Sequence, residues 1–146
     1  EKVTVNVAGG GSFTGMNQAA EGSVQIGNSD VNLPDEYKDK GLVDHKVVVE
    51  PFVFITNKEN KVANLSQEQI VGILTGKITN WKEVGGDDQQ ITLIHRAKSS
   101  GSRATISDVV LKGKEFTDQA VIQDSNGAVR AAIASTPRAI GYVDAP

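Results

Sequence analysis

A run of cations and hydroxyl residues follows a predicted strand at residues 91–95. The residues of this run that could bind a ligand are Arg96, Lys98, Ser100, Gly101, Ser102 and Arg103. If Ser100 caps a helix, the free amides of the first turn and the helix dipole make that end positive. Cations around a positive helix end are unfavourable unless an anion neutralises them. The segment therefore predicts a site for a small oxyanion, and the alternative is a surface loop of solvated cations.

A glycine-rich segment, residues 9–15, also follows a predicted strand and carries Ser12 and Thr14. It does not match a P-loop, because Met16 follows its last glycine. It does not match the dinucleotide fingerprint either, because Thr14 stands at the third glycine position. The pattern disfavours nucleotide binding, yet its backbone amides and hydroxyls suit a small anion. A simple tight turn is the alternative.

A third candidate, Asp30, ends the polar segment 28–30 after another predicted strand. An aspartate at such a place is most often a turn or capping residue. Open α/β sheets, however, bind ligands at the carboxyl ends of their strands. We therefore expect the strand-end loops that carry Ser12, Asp30 and Arg96 to converge on one oxyanion.

Hydrophobic periodicity predicts the elements that must position these residues. Strands are predicted at residues 3–7, 23–27, 47–55, 91–95 and 139–143. Helices are predicted at residues 15–21, at residues 66–75, from residue 101 to a stop at Gly113, and between Gly127 and Pro137. Residues 31–45 are predicted as a loop with room for one helical turn. This alternation of strands and helices is typical of an α/β fold.

The helix at residues 66–75 has the clearest boundaries. Ser66 and Gln69 form the pattern of a capping box at its start. Gly76 is expected to end it. Trp81 follows in a predicted loop or short turn, and we expect it to pack against this helix.

Composition narrows the classes of function. A chain of 146 residues makes one ordinary domain or two small lobes. A net charge of -3 gives no electrostatic footprint for nucleic acid, and the absence of cysteine excludes disulfides and thiolate metal sites. The longest apolar run, residues 47–55, is far shorter than the roughly 20 residues that cross a bilayer. The first residues do not have the pattern of a signal peptide.

The sequence offers few groups for catalysis. Of its 2 histidines, His45 and His95, the latter is next to Arg96 on a strand and should point to the opposite face as a structural residue. Neither Ser12 nor Ser100 lies in a G-x-S-x-G elbow, and two histidines without cysteine make a poor metal site. We expect no enzymatic activity, no metal and no cofactor, with a hydrolase as the less favoured alternative.

Ordered blocks of this sequence resemble the phosphate-binding component of bacterial phosphate ABC transporters. The blocks are residues 9–15, 24–30, 74–86, 96–105 and 139–143. Together they span nearly the whole chain and are more specific than any single glycine loop. The resemblance implies a two-lobed fold of the type II periplasmic-binding-protein class, which closes on inorganic phosphate without chemistry. It further implies a nearly complete second lobe, a partial first lobe, and truncation at both ends relative to the family.

Transferred residue by residue, the resemblance implies phosphate ligands in both lobes. They are Ser12 and Asp30 in the first lobe, and Arg96, Ser100, Gly101 and Ser102 in the second, with Thr14 and Arg103 as secondary residues. Three positions depart from the family pattern. Phe13 stands where a glycine is common, Ser102 replaces a usual threonine, and Lys98 stands where the family usually has an acid that braces the arginine.

The same resemblance predicts how the chain is divided between two lobes and which molecules it binds. Residues 1–51 would be the partial first lobe, residues 52–142 the second lobe, and residues 143–146 a return crossover into the first lobe. The implied partners are phosphate and the permease and ATPase subunits of an ABC transporter, at a lipid-anchored, extracytoplasmic location on the cell surface or in the periplasm. An open sheet edge on a partial lobe predicts a dimer. A phosphate or oxyanion sensor of the same fold needs the same site and stays an alternative.

Overall fold

The computed structural model describes residues 2–145. Its α-helices are α1 (Ser12–Ala20), α2 (Asp35–Lys38), α3 (Gln67–Leu74), α4 (Gly101–Ile106) and α5 (Asn126–Ser135). Its strands are β1 (Phe52–Thr56), β2 (Thr92–Arg96), β3 (Val121–Gln123) and β4 (Ala139–Asp144). A 3-10 turn covers Trp81–Val84, and a π-helical segment, Ser107–Leu111, continues α4. The predicted α/β class is confirmed.

The strands form one mixed sheet in the order β1-β4-β2-β3. Strand β4 runs antiparallel to β1, while β2 runs parallel to both β4 and β3. The carboxyl ends of β2, β3 and β4 therefore meet at the same edge of the sheet. Arg96 ends β2 and Asp144 ends β4 at this edge.

Helices cover both faces of the sheet, and each face has its own apolar cluster. One cluster contains Ile73, Leu74, Trp81, Leu93, Ile106, Leu111, Ile140 and Tyr142. The other contains Ile94, Val129, Ile133, Ala139 and Val143. Successive residues of β2 and β4 alternate between the clusters, as the pleat of a strand requires. Each fully buried Leu or Ile side chain contributes about 1.5–3 kcal/mol to stability, so the sheet is held rigidly between its helices.

The predictions for α3 and Trp81 are confirmed. Ser66 Oγ accepts a hydrogen bond from the Gln69 amide at 3.2 Å, and Gln69 Oε1 accepts one from the Ser66 amide at 2.8 Å. Gly76 follows the helix with φ +73°, a conformation that favours glycine. Trp81 is 2% exposed in the same cluster as Ile73. Its indole Nε1 donates to the carbonyl of Arg138 at 2.9 Å.

Two predicted strands, at residues 3–7 and 23–27, are wrong, because neither segment forms a strand. Val3, Val5 and Val7 remain 85%, 76% and 87% exposed. Alternating valines are typical of a half-buried strand. The backbone N–H and C=O groups of a strand, however, also need hydrogen-bond partners on a neighbouring strand. Within residues 2–145 no strand pairs with either segment.

The strand predicted at residues 47–55 is wrong over its first part. Strand β1 begins only at Phe52, directly after Pro51, and Val47, Val48 and Val49 are exposed. Proline donates no hydrogen bond and interrupts the ladder. Strand β3 was not predicted, because it is a three-residue edge strand whose two apolar side chains are about half exposed.

The remaining elements agree with the sequence patterns. Helix α1 begins three residues earlier than predicted, at Ser12 after an extended Gly11. Helix α2 is the single helical turn expected within residues 31–45. The strands predicted at residues 91–95 and 139–143 form β2 and β4 to within one residue at each end. The helices after residues 101 and 127 form as α4, with its π-helical continuation, and α5.

Candidate functional site

The start of α4 lies at the sheet edge where β2 ends. Ser100 caps this helix, because its Oγ accepts a hydrogen bond from the Arg103 amide at 3.3 Å. Ser100 and Ser102 are 1% and 0% exposed, and Arg96 is 4% exposed. The capping role predicted for Ser100 is therefore confirmed. Two hydroxyls and one guanidinium are gathered at this helix start.

The start of α1 packs directly against the start of α4. The Phe13 amide donates to the carbonyl of Ser99 at 3.2 Å. A Cβ at Gly11 would stand 2.6 Å from the carbonyl carbon of Ser99, and a Cβ at Gly101 would stand 2.9 Å from Ser12 Cβ. Because real side chains do not approach so closely, both positions require glycine. Two helix N-termini thus meet at one place, and their dipoles both favour an anion there.

Ser12, Asp30 and Ser102 are brought together by hydrogen bonds. The Asp30 amide donates to Ser12 Oγ at 3.0 Å. Ser102 Oγ lies 3.2 Å from Asp30 Oδ2 and 2.9 Å from Asp144 Oδ1. Its single proton can be donated to only one of these two carboxylates at a time. The structure therefore brings together the three segments that carry Ser12, Asp30 and Arg96, as the sequence predicts, although only the segment of Arg96 follows a strand.

Arg96 is a buried cation that has no carboxylate partner among the described residues. Its Nη1 donates to Asn126 Oδ1 at 2.7 Å and lies 3.4 Å from Ser102 Oγ, while its Nη2 donates to the Asp124 carbonyl at 3.0 Å. Within residues 2–145 no carboxylate forms a salt bridge with it. Its buried Nε–H has no hydrogen-bond partner in this part of the chain. A buried charge of this kind is costly unless it is paired.

Arg103 points to a different group of residues. Its Nη1 lies 2.9 Å from His95 Nδ1 and donates to the Arg96 carbonyl at 3.0 Å, and its guanidinium stacks over Phe116 at 4.5 Å. A guanidinium only donates hydrogen bonds, so His95 Nδ1 accepts and the imidazole is neutral. Burial, together with the charge of Arg103, lowers the pKa of His95 to about 4. His95 is structural, as its strand position predicts.

The other charged or polar candidates take no direct part in the cluster. Lys98 is exposed and forms no salt bridge with the described carboxylates. Thr14 is half-buried in α1, where its side chain packs near Gly10. Tyr142 is buried behind the site, and burial raises the pKa of its hydroxyl to about 12. Among residues 2–145 no group of three or more His, Cys, Asp or Glu is placed to bind a metal ion, and no helix is long and apolar enough to cross a membrane.

Two residues of this cluster, Asn126 and Asp144, were not predicted from the sequence. Asn126 is the first residue of α5, and its Nδ2 donates to Asp144 Oδ2. Asp144 Oδ1 accepts from Ser102 Oγ at 2.9 Å. Their positions could have indicated them, because Asn126 follows β3 and Asp144 follows the strand predicted at residues 139–143. Both strands end at the edge of the sheet that carries Arg96.

The mixed sheet has helices on both faces and a buried cation at the carboxyl ends of its strands, which defines an α/β fold. A family model for the PBP superfamily domain matches residues 1–146. The chain therefore belongs to the PBP superfamily. Its fold is that of type II periplasmic phosphate-binding proteins, and the structure covers part of that fold.

Curated relatives carry consistent names. The chain is 45% identical over 141 residues to a "Phosphate-binding protein PstS" of Bacillus subtilis, covering 95% of this chain and 47% of that protein. It is 34% identical over 149 residues to the protein of the same name from Borreliella burgdorferi, covering 97% of this chain and 53% of the relative. The chain thus spans about half the length of these two relatives.

Solved structures of phosphate-binding proteins are also similar to this chain. A putative phosphate ABC transporter substrate-binding protein with bound phosphate, from Clostridium perfringens, superimposes with a TM-score of 0.86 at 36% identity. The match covers 92% of this chain and 56% of that one. PstS from Borrelia burgdorferi superimposes with a TM-score of 0.64 at 33% identity, covering 90% of this chain and 55% of that one. The expected periplasmic-binding-protein fold is confirmed by these similarities.

Proposed function

We propose that this chain is part of an extracytoplasmic solute-binding protein that captures inorganic phosphate for an ABC importer. The observation that carries this proposal is Arg96, a guanidinium 4% exposed whose buried Nε–H is unpartnered within residues 2–145. A bound tetrahedral oxyanion would accept a hydrogen bond from that N–H and would also neutralise the charge of the guanidinium. The names of the relatives and the phosphate bound to the Clostridium perfringens protein support phosphate as the anion.

The proposed ligands come from two groups of residues. Arg96, Ser100, Gly101 and Ser102 would supply charged, amide and hydroxyl donors from the end of β2 and the start of α4. Ser12 and Asp30 would approach from the opposite side, where the Asp30 amide donates to Ser12 Oγ and Asp30 Oδ2 lies 3.2 Å from Ser102 Oγ. Thr14 and Arg103 are secondary in this proposal, and the contacts of Arg103 with His95 and Phe116 support a structural role for it.

Binding would proceed without chemistry. His95 is the histidine nearest to the cluster along the chain, and it is neutral, 1% exposed and occupied by Arg103. A general base must reach the proton that it abstracts, and this imidazole packs against Phe116 on the other side of the strand from Arg96. The site therefore suits reversible capture.

The larger organisation belongs to the same proposal. Residues 1–51 would form part of a first lobe and residues 52–142 the second, with residues 143–146 crossing back. Closure of two lobes on phosphate would then present the loaded protein to membrane permease and ATPase subunits, with the whole protein anchored by lipid outside the cytoplasm. The exposed valines of residues 2–51 support a further contact surface in this part of the chain.

Calorimetric titration of the chain with phosphate tests the proposal. Hydrogen bonds to charged groups contribute about 1.5–3 kcal/mol, so Arg96→Ala should weaken binding by at least about tenfold. Lys98→Ala is the matched control, because it removes an equal charge from an exposed side chain two residues away. Equal phosphate affinity in the parent and in Arg96→Ala would refute the assignment. Absence of any phosphate binding by the folded parent would refute the function.

A further inference from the structure

Asn126 and Asp144 form a hydrogen-bonded chain that ends on Arg96. Asn126 Oδ1 accepts from Arg96 Nη1 at 2.7 Å, and Asn126 Nδ2 donates to Asp144 Oδ2. The order is cation, amide, carboxylate, so the amide dipole is aligned with the charges at both of its ends. In a site of low dielectric, hydrogen bonds in such a chain polarise and strengthen one another.

The same carboxylate also holds a second residue of the proposed site. Ser102 Oγ lies 2.9 Å from Asp144 Oδ1, nearer than the 3.2 Å to Asp30 Oδ2, so we assign its single proton to Asp144. Each oxygen of Asp144 then accepts a hydrogen bond from the protein. Asp144 lies at the end of β4 and is held there by the ladder with β1, in which it pairs with Phe52. Asn126 is held by the first turn of α5, which Ser125 caps. Two rigid elements thus fix this arrangement from behind the site.

We propose that Asn126 and Asp144 are positioning residues that hold the Arg96 guanidinium with its Nε–H turned toward the bound anion. This inference rests on the proposed function. Asn126 and the Asp124 carbonyl occupy Nη1 and Nη2, which leaves Nε–H without a partner among residues 2–145. The negative charge that steadies Arg96 is that of Asp144, transmitted through an amide rather than applied directly.

An exchange of the two side chains tests the proposal. In Asp144→Asn the steadying charge is lost, and in Asn126→Asp two carboxylates face each other. In the double variant N126D/D144N the net charge is unchanged, and all three hydrogen bonds can form again, from Arg96 through both positions to Ser102. Residues in one such network couple strongly, so each single variant should bind phosphate at least about fivefold more weakly, and the double variant should return to within about twofold of the parent.

Asp118→Asn is the control for these variants, since it removes the same charge from an exposed aspartate. Far-UV circular dichroism establishes that each variant is folded, and Asn126→Ala replaces any single variant that is not. Asn126→Ala should lose affinity in the same way, because Arg96 Nη1 loses its acceptor. Parental or tighter affinity in the single variants would overturn the proposal. So would a double variant that shows the product of the two single losses.

A second readout separates this inference from the proposed function. In ligand-free chain labelled with ¹⁵N, the Arg96 Nε–H should give a resolved side-chain resonance in slow exchange with solvent. The single variants should broaden or lose this resonance, and the double variant should restore it. A parent that binds no phosphate would contradict the proposed function, and the resonance would still decide the role of Asn126 and Asp144. A resonance unchanged in both single variants would contradict that role.

Discussion

Gly101 lies directly against Ser12, so that a Cβ on Gly101 would stand 2.9 Å from Ser12 Cβ and overlap its hydroxyl oxygen. Gly101→Ala should therefore push the start of α1 away from the start of α4 and lower both stability and phosphate affinity. Gly127→Ala is the matched control, because Gly127 is in helix α5 and its added Cβ would meet no atom closer than 3.9 Å. Thermal unfolding and calorimetry measure the two effects.

The control itself has an expected direction. Alanine at an unstrained helical position is favoured over glycine by about 0.4–1 kcal/mol, so Gly127→Ala should raise the melting temperature slightly. Gly101→Ala should lower it and weaken binding in the same protein sample. Equal behaviour of the two variants would show that the contact between Gly101 and Ser12 has no energetic role.

The packing of His95 predicts a pH dependence of stability. The pKa of His95 falls from 6.5 to about 4 because of burial and the neighbouring Arg103. The unfolded chain therefore binds a proton below pH 6.5 that the folded chain binds only below about pH 4. The free energy of unfolding is therefore highest above pH 6.5 and decreases as the pH falls toward 4. In His95→Asn, whose amide oxygen can still accept from Arg103, the fall in melting temperature over this range should be smaller; an identical fall would contradict the assignment.

Asp30 predicts selectivity for phosphate over sulfate. An ionised carboxylate only accepts hydrogen bonds. Phosphate near neutral pH carries at least one proton that it can donate, whereas sulfate carries none. Asp30 would therefore reject sulfate by repulsion between acceptors. Competition titrations at pH 7 should show a strong preference for phosphate, which Asp30→Asn should reduce because an amide can donate to sulfate. Equal binding of both anions by the folded parent would remove Asp30 from the site.

The exposed valines of the first 51 residues predict self-association. Val3, Val5 and Val7 alternate in an exposed segment, and Val47, Val48 and Val49 are also exposed. Exposed apolar surface of this kind favours association. Sedimentation velocity should show a concentration-dependent dimer that the triple variant V47T/V48T/V49T weakens. A monomer at all concentrations, with no effect of the triple variant, would contradict the prediction.

Local signals predicted β2, β4, the second part of β1 and the helices that pack against the sheet, but not β3. The capping box at Ser66 and Gln69 fixed the start of α3, and the apolar run at residues 139–143 became β4. The strands predicted at residues 3–7 and 23–27 failed for a physical reason. Alternation specifies which side chains face a core, but a strand also needs a neighbouring backbone, which no local pattern describes.

The candidate site was also predicted only in part. Arg96, Ser100 and Ser102 lie within seven residues of one another in the sequence, so their chemistry was visible in one segment. Asn126 and Asp144 lie 30 and 48 residues beyond Arg96. They join the cluster only because β2, β3 and β4 are parallel neighbours. Such contacts follow from strand order, which the sequence patterns did not specify.

The most direct measurement of the central claim follows the Arg96 side chain itself. In ¹⁵N-labelled chain, phosphate should shift the Arg96 Nε–H resonance to lower field, as a charge-assisted hydrogen bond forms at an N–H that the described residues leave unpartnered. Arg130, an exposed arginine of α5, serves as the internal reference and should not shift. An Arg96 resonance that stays in place at phosphate concentrations that saturate the calorimetric signal would contradict the claim that this guanidinium holds the anion.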